Sequence, residues 1–191
     1  MALPIVLAST SRYRRQLLER LPLKFQTVSP DVDESPLEEE LPEQLAMRLA
    51  ELKARKGLQL APGSLIIGSD QVAECRGELL GKPGSPERAR SQLMRLQGQT
   101  VFFHTAVCLT DGEVVEVQNV RTTVRLRTLS KDQIQRYVAL ENPIDCAGAF
   151  KSEALGIALI ESMQSNDPTA LIGLPLIATI GLLEKFGHRI L

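Results

Sequence analysis

The sequence predicts an α/β fold with a mixed β-sheet, and three observations lead to that class. The apolar run 3–8 is typical of a buried strand and leads, through a short polar loop, into a segment with helical spacing at 12–20. Asp111-Gly112 joins two β-rich segments, 99–110 and 113–126, as a hairpin turn does, which disfavours an all-parallel sheet. The length of 191 residues suits a single domain, of one lobe or two, with a substantial core.

Composition and charge narrow the class of protein. Hydrophobic residues make up 43% of the chain and charged residues 24%, which excludes disordered and fibrous classes. The 22 basic and 23 acidic residues nearly cancel, which argues against a binder of nucleic-acid polymers or membrane surfaces. Cys75, Cys108 and Cys146 form no CxxC pair, so they indicate neither zinc nor a disulfide framework and fit a reducing cytoplasm. We expect no signal peptide and no membrane span.

The first loop has the features of an anion site. A strand, then Ser9-Thr10-Ser11, then the start of a helix presents backbone N–H groups and the helix dipole to a negative charge. Arginines in the first helical turn oppose that dipole unless an anion is bound there. The pattern therefore favours a phosphate site over the alternative, a solvated basic helix capped by Ser11.

The next elements carry charged residues into a loop and onto a helix. Segment 24–29 is predicted as a strand and 30–36 as an acidic turn, whose carboxylates are either solvated or within reach of a metal ion. Pro42 at a first-turn position and the apolar spacing of 41–60 predict a helix. Lys53 lies near its C-terminal end, where a lysine is favourable for structural reasons alone.

The run 65–72 is the predicted centre of the chemistry. It reads as a buried strand that delivers Asp70 at its exit, and Gly68 allows another group to approach the backbone closely. Because ligands collect where the strands of an α/β sheet end, Asp70 is the candidate catalytic carboxylate. The alternative is that Asp70 only caps a turn.

The rest of the chain predicts alternating turns, helices and strands. Arg76-Gly77 indicates a hairpin turn, and Lys82 lies in a loop framed by glycines and a proline. Capping and turn signals predict helices at 85–96, 130–140 and 176–186, and 156–160 reads as a strand. His104 and His188 have no partner at ligand or triad spacing, so neither receives a catalytic role.

Seven motifs, in this order, resemble those of the Maf family of nucleoside triphosphate pyrophosphatases. Any one of them is weak, but seven in the right order make the match specific. They cover nearly the whole chain: Leu7-Ala8-Ser9-Thr10-Ser11 with Arg14-Arg15, Val32-Asp33-Glu34, Lys53-Ala54, Ile67-Gly68-Ser69-Asp70, Gly81-Lys82-Pro83, Ala147-Gly148-Ala149-Phe150 and Gly173-Leu174-Pro175-Leu176.

The resemblance implies a fold, a reaction and a set of residue roles. The fold is the elongated Maf/inosine-triphosphatase-like α/β fold, with a twisted mixed sheet, flanking helices, two lobes around a cleft and frequent homodimers. The reaction is cleavage of a nucleoside triphosphate between its α and β phosphates, dependent on a divalent cation, Mg²⁺ or Mn²⁺. Asp70 is the implied base, and Glu34 and Asp70 surround the implied metal. The implied phosphate-binding residues are Ser11, Arg14, Lys53 and Lys82.

Three departures from the commoner family pattern point to a subgroup. Tyr13 follows an arginine where most members have proline then arginine, Gln71 replaces threonine, and Glu153 replaces glutamine. These residues are similar to those of the members that act on 7-methyl-GTP, so they are the candidates for base specificity. Leu52 stands where many members have glutamate, and nothing in the sequence explains it.

The chemistry of the base agrees with this subgroup. Methylation at N7 makes guanine cationic, and an aromatic face such as that of Tyr13 then gains a cation–π attraction of about 0.5–2 kcal/mol. The N1–H and the exocyclic amine form a paired donor edge, which the carboxylate of Glu153 accepts in a bidentate way. Without the resemblance, a surface aromatic and a surface carboxylate are the simpler interpretations.

The sequence leaves two other functions open. One is a house-cleaning pyrophosphatase for another modified nucleotide, or for a pyrimidine nucleotide such as dTTP or UTP. The other is a nucleotide-sensing binding module linked to cell division, with weak turnover or none. Release of diphosphate in the presence of metal separates the enzyme from the sensor.

Overall fold

The computed structural model describes residues 3–191. Three short 3₁₀ helices, Ala147–Ala149, Leu155–Leu159 and Ala170–Ile172, accompany the regular elements of this part of the chain. The regular elements are β1 (Ile5–Ala8), α1 (Arg12–Leu18), β2 (Phe25–Val28), α2 (Pro42–Leu60), β3 (Leu65–Cys75), β4 (Glu78–Leu80), α3 (Pro86–Leu96), β5 (Thr100–Thr110), β6 (Val115–Leu126), α4 (Lys131–Glu141), β7 (Ile160–Gln164) and α5 (Leu176–Lys185).

All of these strands belong to one mixed sheet. Its order is β2-β1-β3-β5-β6-β7, and β4 pairs with β3 off this path. Strand β1 runs parallel to both β2 and β3, whereas the β3–β4 and β6–β7 pairs are antiparallel. The predicted α/β class with a mixed sheet and flanking helices is therefore confirmed.

The described residues form two compact units. The first contains the chain up to Gln71 together with His104–Val120 and Asp167–Leu191, and the second contains Val72–Phe103 and Arg121–Asn166. Apolar side chains of β1, β3, α1 and α5 form the core of the first unit. In the second unit the rings of Phe103 and Phe150 pack edge to face, with their centroids 5.4 Å apart. The assignment of residues 1–191 to a single domain stays a prediction.

Local capping signals set the ends of several helices, as predicted. Ser85 and Ser130 accept hydrogen bonds from backbone N–H groups in the first turns of α3 and α4. Pro42 lies in the first turn of α2, and Asn142 ends α4 in the left-handed conformation. No helix in the described chain combines the length and the apolar character needed to cross a membrane.

Strand β3 is longer than predicted, and the expectation that Asp70 lies at its exit is wrong. The strand continues to Cys75, turns at Arg76-Gly77 with positive φ at both residues, and returns as β4. The pairing of β1 with β3 reaches only Ala8 opposite Gly68. Asp70 therefore lies just past the end of the neighbouring strand, on a backbone that the continuing strand keeps regular.

The strand predicted at 156–160 is also wrong. The 3₁₀ helix Leu155–Leu159 takes most of this segment, and strand β7 follows it. Gly156 explains the difference, because a Cβ at this residue would lie 2.2 Å from the carbonyl oxygen of Lys151. The chain folds back on itself there and is not free to extend.

Gly68 brings helix α2 against strand β3 on the face that carries Asp70. A Cβ at Gly68 would lie 2.3 Å from the carbonyl oxygen of Ala50 and 2.6 Å from the amide nitrogen of Ala54. Residues two apart in a strand point to the same face, so α2 passes closest where Asp70 projects. The predicted close approach at Gly68 is confirmed.

We expect Gly68→Ala to weaken both the fold and the activity. The added methyl group collides with backbone atoms that do not yield easily, and overpacking of this kind costs about 1–3 kcal/mol in the free energy of unfolding. Urea unfolding and nucleotide turnover measure the two effects. Gly181→Ala, in α5 with open space around it, is the matched control and should gain up to about 1 kcal/mol. A Gly68→Ala variant as stable as the parent would contradict this packing argument.

Candidate active site

Two carboxylates and one ammonium group meet within the first unit. Nζ of Lys53 lies 2.5 Å from Oδ1 of Asp70 and 2.5 Å from Oε1 of Glu34. The side chains of Lys53 and Asp70 are 8% and 10% exposed, whereas that of Glu34 is 57% exposed. One positive charge faces two negative charges, and solvent reaches the cluster from the side of Glu34.

Each member of this cluster is held by a different element. Asp70 comes from β3, and Lys53 comes from α2, which Gly68 admits close to the strand. Glu34 comes from the loop between β2 and α2, where no regular structure holds the backbone. The site therefore depends on whatever fixes that loop.

Arg48 of α2 fixes the loop that carries Glu34. Its Nη2 donates to the carbonyl of Ser35 at 2.9 Å, and its Nε and Nη2 reach the carboxylate of Glu40 at 2.6 and 2.8 Å. The hydrogen bond with Glu40 raises the pKa of Arg48, and the same bond lowers the pKa of Glu40. Both groups stay charged at neutral pH, so the residue next to Glu34 remains tied to α2.

Ser11 and Arg14 lie at the start of helix α1, which follows the loop after β1. The hydroxyl oxygen of Ser11 caps α1 by accepting the N–H of Arg14 at 3.4 Å. Nε of Arg14 donates to the carbonyl of Gly173 at 2.9 Å. Burial lowers the pKa of Arg14, while the negative charges of Asp70 and Glu34 act in the opposite direction. The guanidinium group thus lies within the electrostatic reach of both carboxylates.

The ring of Tyr13 already has a cation over its face. Cζ of Arg12 lies 4.7 Å from the ring centroid, and Nη2 of Arg12 donates to the Tyr13 hydroxyl at 2.7 Å. Arg12 thus makes a cation–π contact with the ring, whereas the contact predicted for Tyr13 is with a cationic nucleobase and stays a prediction. A cationic base that stacks on Tyr13 must displace Arg12 or use the other face.

The side-chain amide of Gln71 is engaged within the first unit. Its Nε2 lies 3.0 Å from each of three acceptors, the hydroxyl of Thr105 and the carbonyls of Ala170 and Leu171. Because an amide nitrogen carries only two hydrogens, these contacts use its full donor capacity. The carbonyl oxygen is the part of this side chain that could serve a ligand.

Lys82 and Glu153 belong to the second unit and are exposed. Lys82 lies in the loop between β4 and α3, and Glu153 lies between two 3₁₀ helices. Glu141 at the end of α4 brackets Glu153: its carbonyl accepts from Nζ of Lys151 at 3.1 Å, and its Oε2 accepts from the N–H of Leu155 at 3.0 Å. The segment that carries Glu153 is therefore anchored on both sides.

The residues that hold the site together carry little signal in the sequence. No pattern singles out Thr105 or Arg48, and Ser69 and Gly173-Leu174-Pro175 stand there only within family motifs. Ser69 stands next to Asp70, and that adjacency was the one available signal. Arg48 gave none, because its spacing from Glu40 matches no helical pair.

A divalent cation fits the donor set at this site. Among residues 3–191 no group of three or more His, Cys, Asp or Glu side chains is arranged to hold a metal ion. Mg²⁺ at nucleotide sites, however, uses one or two carboxylates and completes its coordination with substrate phosphates and water. Asp70 and Glu34 already converge on one cationic group, that of Lys53. The residues present therefore suit a cation that binds together with a phosphate ligand.

Comparisons with known proteins agree on one family. The family model described as "Maf-like protein" matches residues 4–186. The 7-methyl-GTP pyrophosphatase of Aromatoleum aromaticum is 54% identical over 185 residues, which cover 96% of this chain and 95% of that protein. The proteins of the same name from Bordetella pertussis and Idiomarina loihiensis are 53% and 49% identical, over 96% and 98% of this chain and 92% and 96% of theirs.

Proposed function

Because the chain belongs to the family of Maf-like proteins, we propose that it hydrolyses 7-methyl-GTP to 7-methyl-GMP and diphosphate. The contact of Asp70 and Glu34 with one cationic group is the observation that carries this proposal. Relatives named 7-methyl-GTP pyrophosphatase match nearly the full length of both chains and support the choice of nucleotide. The enzyme is a hydrolase that acts on a phosphoric anhydride.

Asp70 is the proposed general base. Its Oδ1 is bound to Lys53, and we assign the proton of the attacking water to the same carboxylate. A carboxylate fixed in a regular strand keeps its position as the anhydride bond between the α and β phosphates breaks. The ammonium group of Lys53 partly neutralises the negative charge of this carboxylate before the water approaches.

Three cationic side chains and one hydroxyl group are the proposed phosphate ligands. Arg14 presents its remaining guanidinium N–H groups, because Nε is committed to Gly173. Ser11, Lys53 and Lys82 complete the proposed set. Preorganised donors of this kind stabilise the negative charge that develops during phosphoryl transfer.

Glu34 and Asp70 would hold the divalent cation, Mg²⁺ or Mn²⁺. When bound, the cation neutralises phosphate charge and orients the anhydride for attack. Arg48 supports this role because it fixes the backbone beside Glu34. We further propose that the enzyme works in a reducing cytoplasm, where its three free cysteines remain thiols, and that it forms a homodimer.

Tyr13, Gln71 and Glu153 are the proposed specificity residues. A methylated, cationic guanine gains from an aromatic face, and Tyr13 already attracts a cation onto its ring. Glu153 is an exposed carboxylate on an anchored segment, which suits the donor edge of guanine.

A panel of nucleotides tests the proposal. Diphosphate release is measured with Mg²⁺ and with Mn²⁺ for 7-methyl-GTP, GTP, dTTP, UTP and ATP, with a metal-chelated sample as control. We expect the highest kcat/KM for 7-methyl-GTP and no release after chelation. A preference for dTTP or UTP would show that the substrate is a pyrimidine nucleotide and not 7-methyl-GTP. Nucleotide binding without release of diphosphate would favour the sensing module.

Arg14→Ala and Lys82→Ala should each slow turnover without unfolding the protein. Removal of one preorganised donor from a developing oxyanion costs about 10²-fold in kcat, and removal of an exposed lysine changes little else. Steady-state kinetics and a thermal melt measure the two effects. Arg88→Ala, an exposed cation in the first turn of α3, is the control that should leave kcat unchanged. Unchanged kinetics in both test variants would show that Arg14 and Lys82 do not bind the phosphates.

A further inference from the structure

The two neighbours of Asp70 in strand β3 bind the same turn of the chain. The hydroxyl of Ser69 donates to the carbonyl of Gly173 at 3.1 Å, and the amide of Gln71 donates to the carbonyls of Ala170 and Leu171. Successive side chains of a strand point to opposite faces, so Asp70 projects towards α2 while Ser69 and Gln71 project away from it. We call residues 170–173 the Gly173 turn.

A third side chain completes the attachment of this turn. The hydroxyl of Thr105, from β5, accepts from Gln71 at 3.0 Å and donates to the carbonyl of Ala170 at 2.9 Å. Ser69 and Thr105 are fully buried. Hydrogen bonds in such surroundings are stronger than those in water, and they hold the turn against the sheet.

Asp167 ties together the backbone on both sides of the Gly173 turn. This buried carboxylate accepts the N–H groups of Thr169 at 2.9 Å and Ile177 at 2.7 Å. Gly173 has a φ of 128°, a conformation that side chains with a Cβ rarely adopt. The backbone of the turn is thus fixed at both ends and bent where its last carbonyl must face inward.

That last carbonyl is the one that orients Arg14. The oxygen of Gly173 accepts from Ser69 and from Nε of Arg14, at 3.1 and 2.9 Å. A bond to Nε fixes the plane of the guanidinium group and leaves its terminal N–H groups directed elsewhere. The position of Arg14 therefore depends on the residues on either side of Asp70.

We propose that Ser69 and Gln71 are positioning residues, which hold the Gly173 turn so that its carbonyl aims Arg14 at the phosphates. The amide nitrogen of Gln71 serves this turn for every nucleotide, and its carbonyl oxygen is left for the proposed contact with the nucleobase. The inference rests on the proposed function for its kinetic test. It extends that function because one short segment, the Gly173 turn, links the strand that carries the catalytic base Asp70 to the phosphate ligand Arg14.

A double-mutant cycle tests the link. Ser69→Ala and Gln71→Met each remove the donors to the turn at similar size, and each should lower kcat/KM about tenfold. In an Arg14→Ala background Ser69→Ala should lower it less than about twofold, because the group that Ser69 positions is gone. The ratio of kcat/KM for 7-methyl-GTP to that for GTP should stay unchanged in Ser69→Ala, because Ser69 has no proposed contact with the nucleobase. A loss in Ser69→Ala that multiplies with Arg14→Ala, or a changed ratio in Ser69→Ala, would overturn the proposal.

A second measurement needs no nucleotide. The Nε–H of Arg14, observed by ¹⁵N NMR, should exchange slowly with water in the parent and at least about tenfold faster in Ser69→Ala and Gln71→Met. Thr110→Ala is the matched control, because it removes another buried hydroxyl-to-carbonyl bond, at 2.7 Å to Val114, and should leave this exchange unchanged. Slow exchange retained in Ser69→Ala overturns the proposal, whether or not the parent cleaves a nucleotide. An inactive parent with the expected exchange pattern refutes only the proposed function and supports the positioning of Arg14.

Discussion

Replacement of Asp70 by asparagine is expected to lower kcat for diphosphate release at least about 10²-fold. Asparagine keeps the shape of the side chain but accepts no proton from water at neutral pH. It also removes one of the two negative charges that face Lys53. Because Lys53 keeps its bond to Glu34, we expect the variant to remain folded and to bind nucleotide. Rapid-quench turnover and a thermal melt are the measurements.

The Glu34→Gln variant distinguishes the loss of a metal ligand from the loss of the general base. This exposed residue is proposed to hold the cation but not to accept the proton, so its loss should be largely restored by excess Mg²⁺ or Mn²⁺. Asp70→Asn should gain little from added metal. If Asp70→Asn turned over at a near-normal rate, or recovered with metal as Glu34→Gln does, Asp70 would not be the base.

Replacement of Glu153 by glutamine is expected to reduce the preference for 7-methyl-GTP over GTP. The change keeps the size of the side chain but removes its charge and one acceptor, which leaves the donor edge of the base half-paired. An unpaired donor of this kind costs about 1–3 kcal/mol, equivalent to one or two powers of ten in kcat/KM. The charge acts more strongly on the methylated, cationic base, so the loss should be larger for 7-methyl-GTP. Competition between the two nucleotides measures the ratio directly.

Tyr13→Ala should shift the ratio in the same direction, because it removes the aromatic face. Tyr13→Phe is its matched control, since it keeps the ring and loses only the hydroxyl that Arg12 binds. We expect Tyr13→Phe to retain the preference. Equal losses on both nucleotides in Glu153→Gln and Tyr13→Ala would refute the model of base recognition and leave the pyrophosphatase assignment standing.

The features that depend on neighbours along the chain were predictable from the sequence. Ser130 with Gln133, and Ser85 before Pro86, set the starts of their helices because a capping bond spans only three residues. Asp111-Gly112 lies in the turn between two neighbouring strands of the sheet for the same local reason. The family motifs also brought Glu34, Lys53 and Asp70 into one predicted site, and their direct contact agrees with that grouping.

The groups that the site residues contact are set by packing between distant segments, which the sequence did not reveal. The family resemblance assigned Gln71 to nucleobase specificity and Arg14 to the phosphates, but no sequence pattern connected the two through residues 99 to 159 positions away in the chain. The predicted strand with Asp70 also ended too early, because pairing with β4 and not local composition carries the strand to Cys75. A hydrogen bond between distant segments leaves no periodic signal, since its geometry is fixed by the packing of the whole first unit around the sheet.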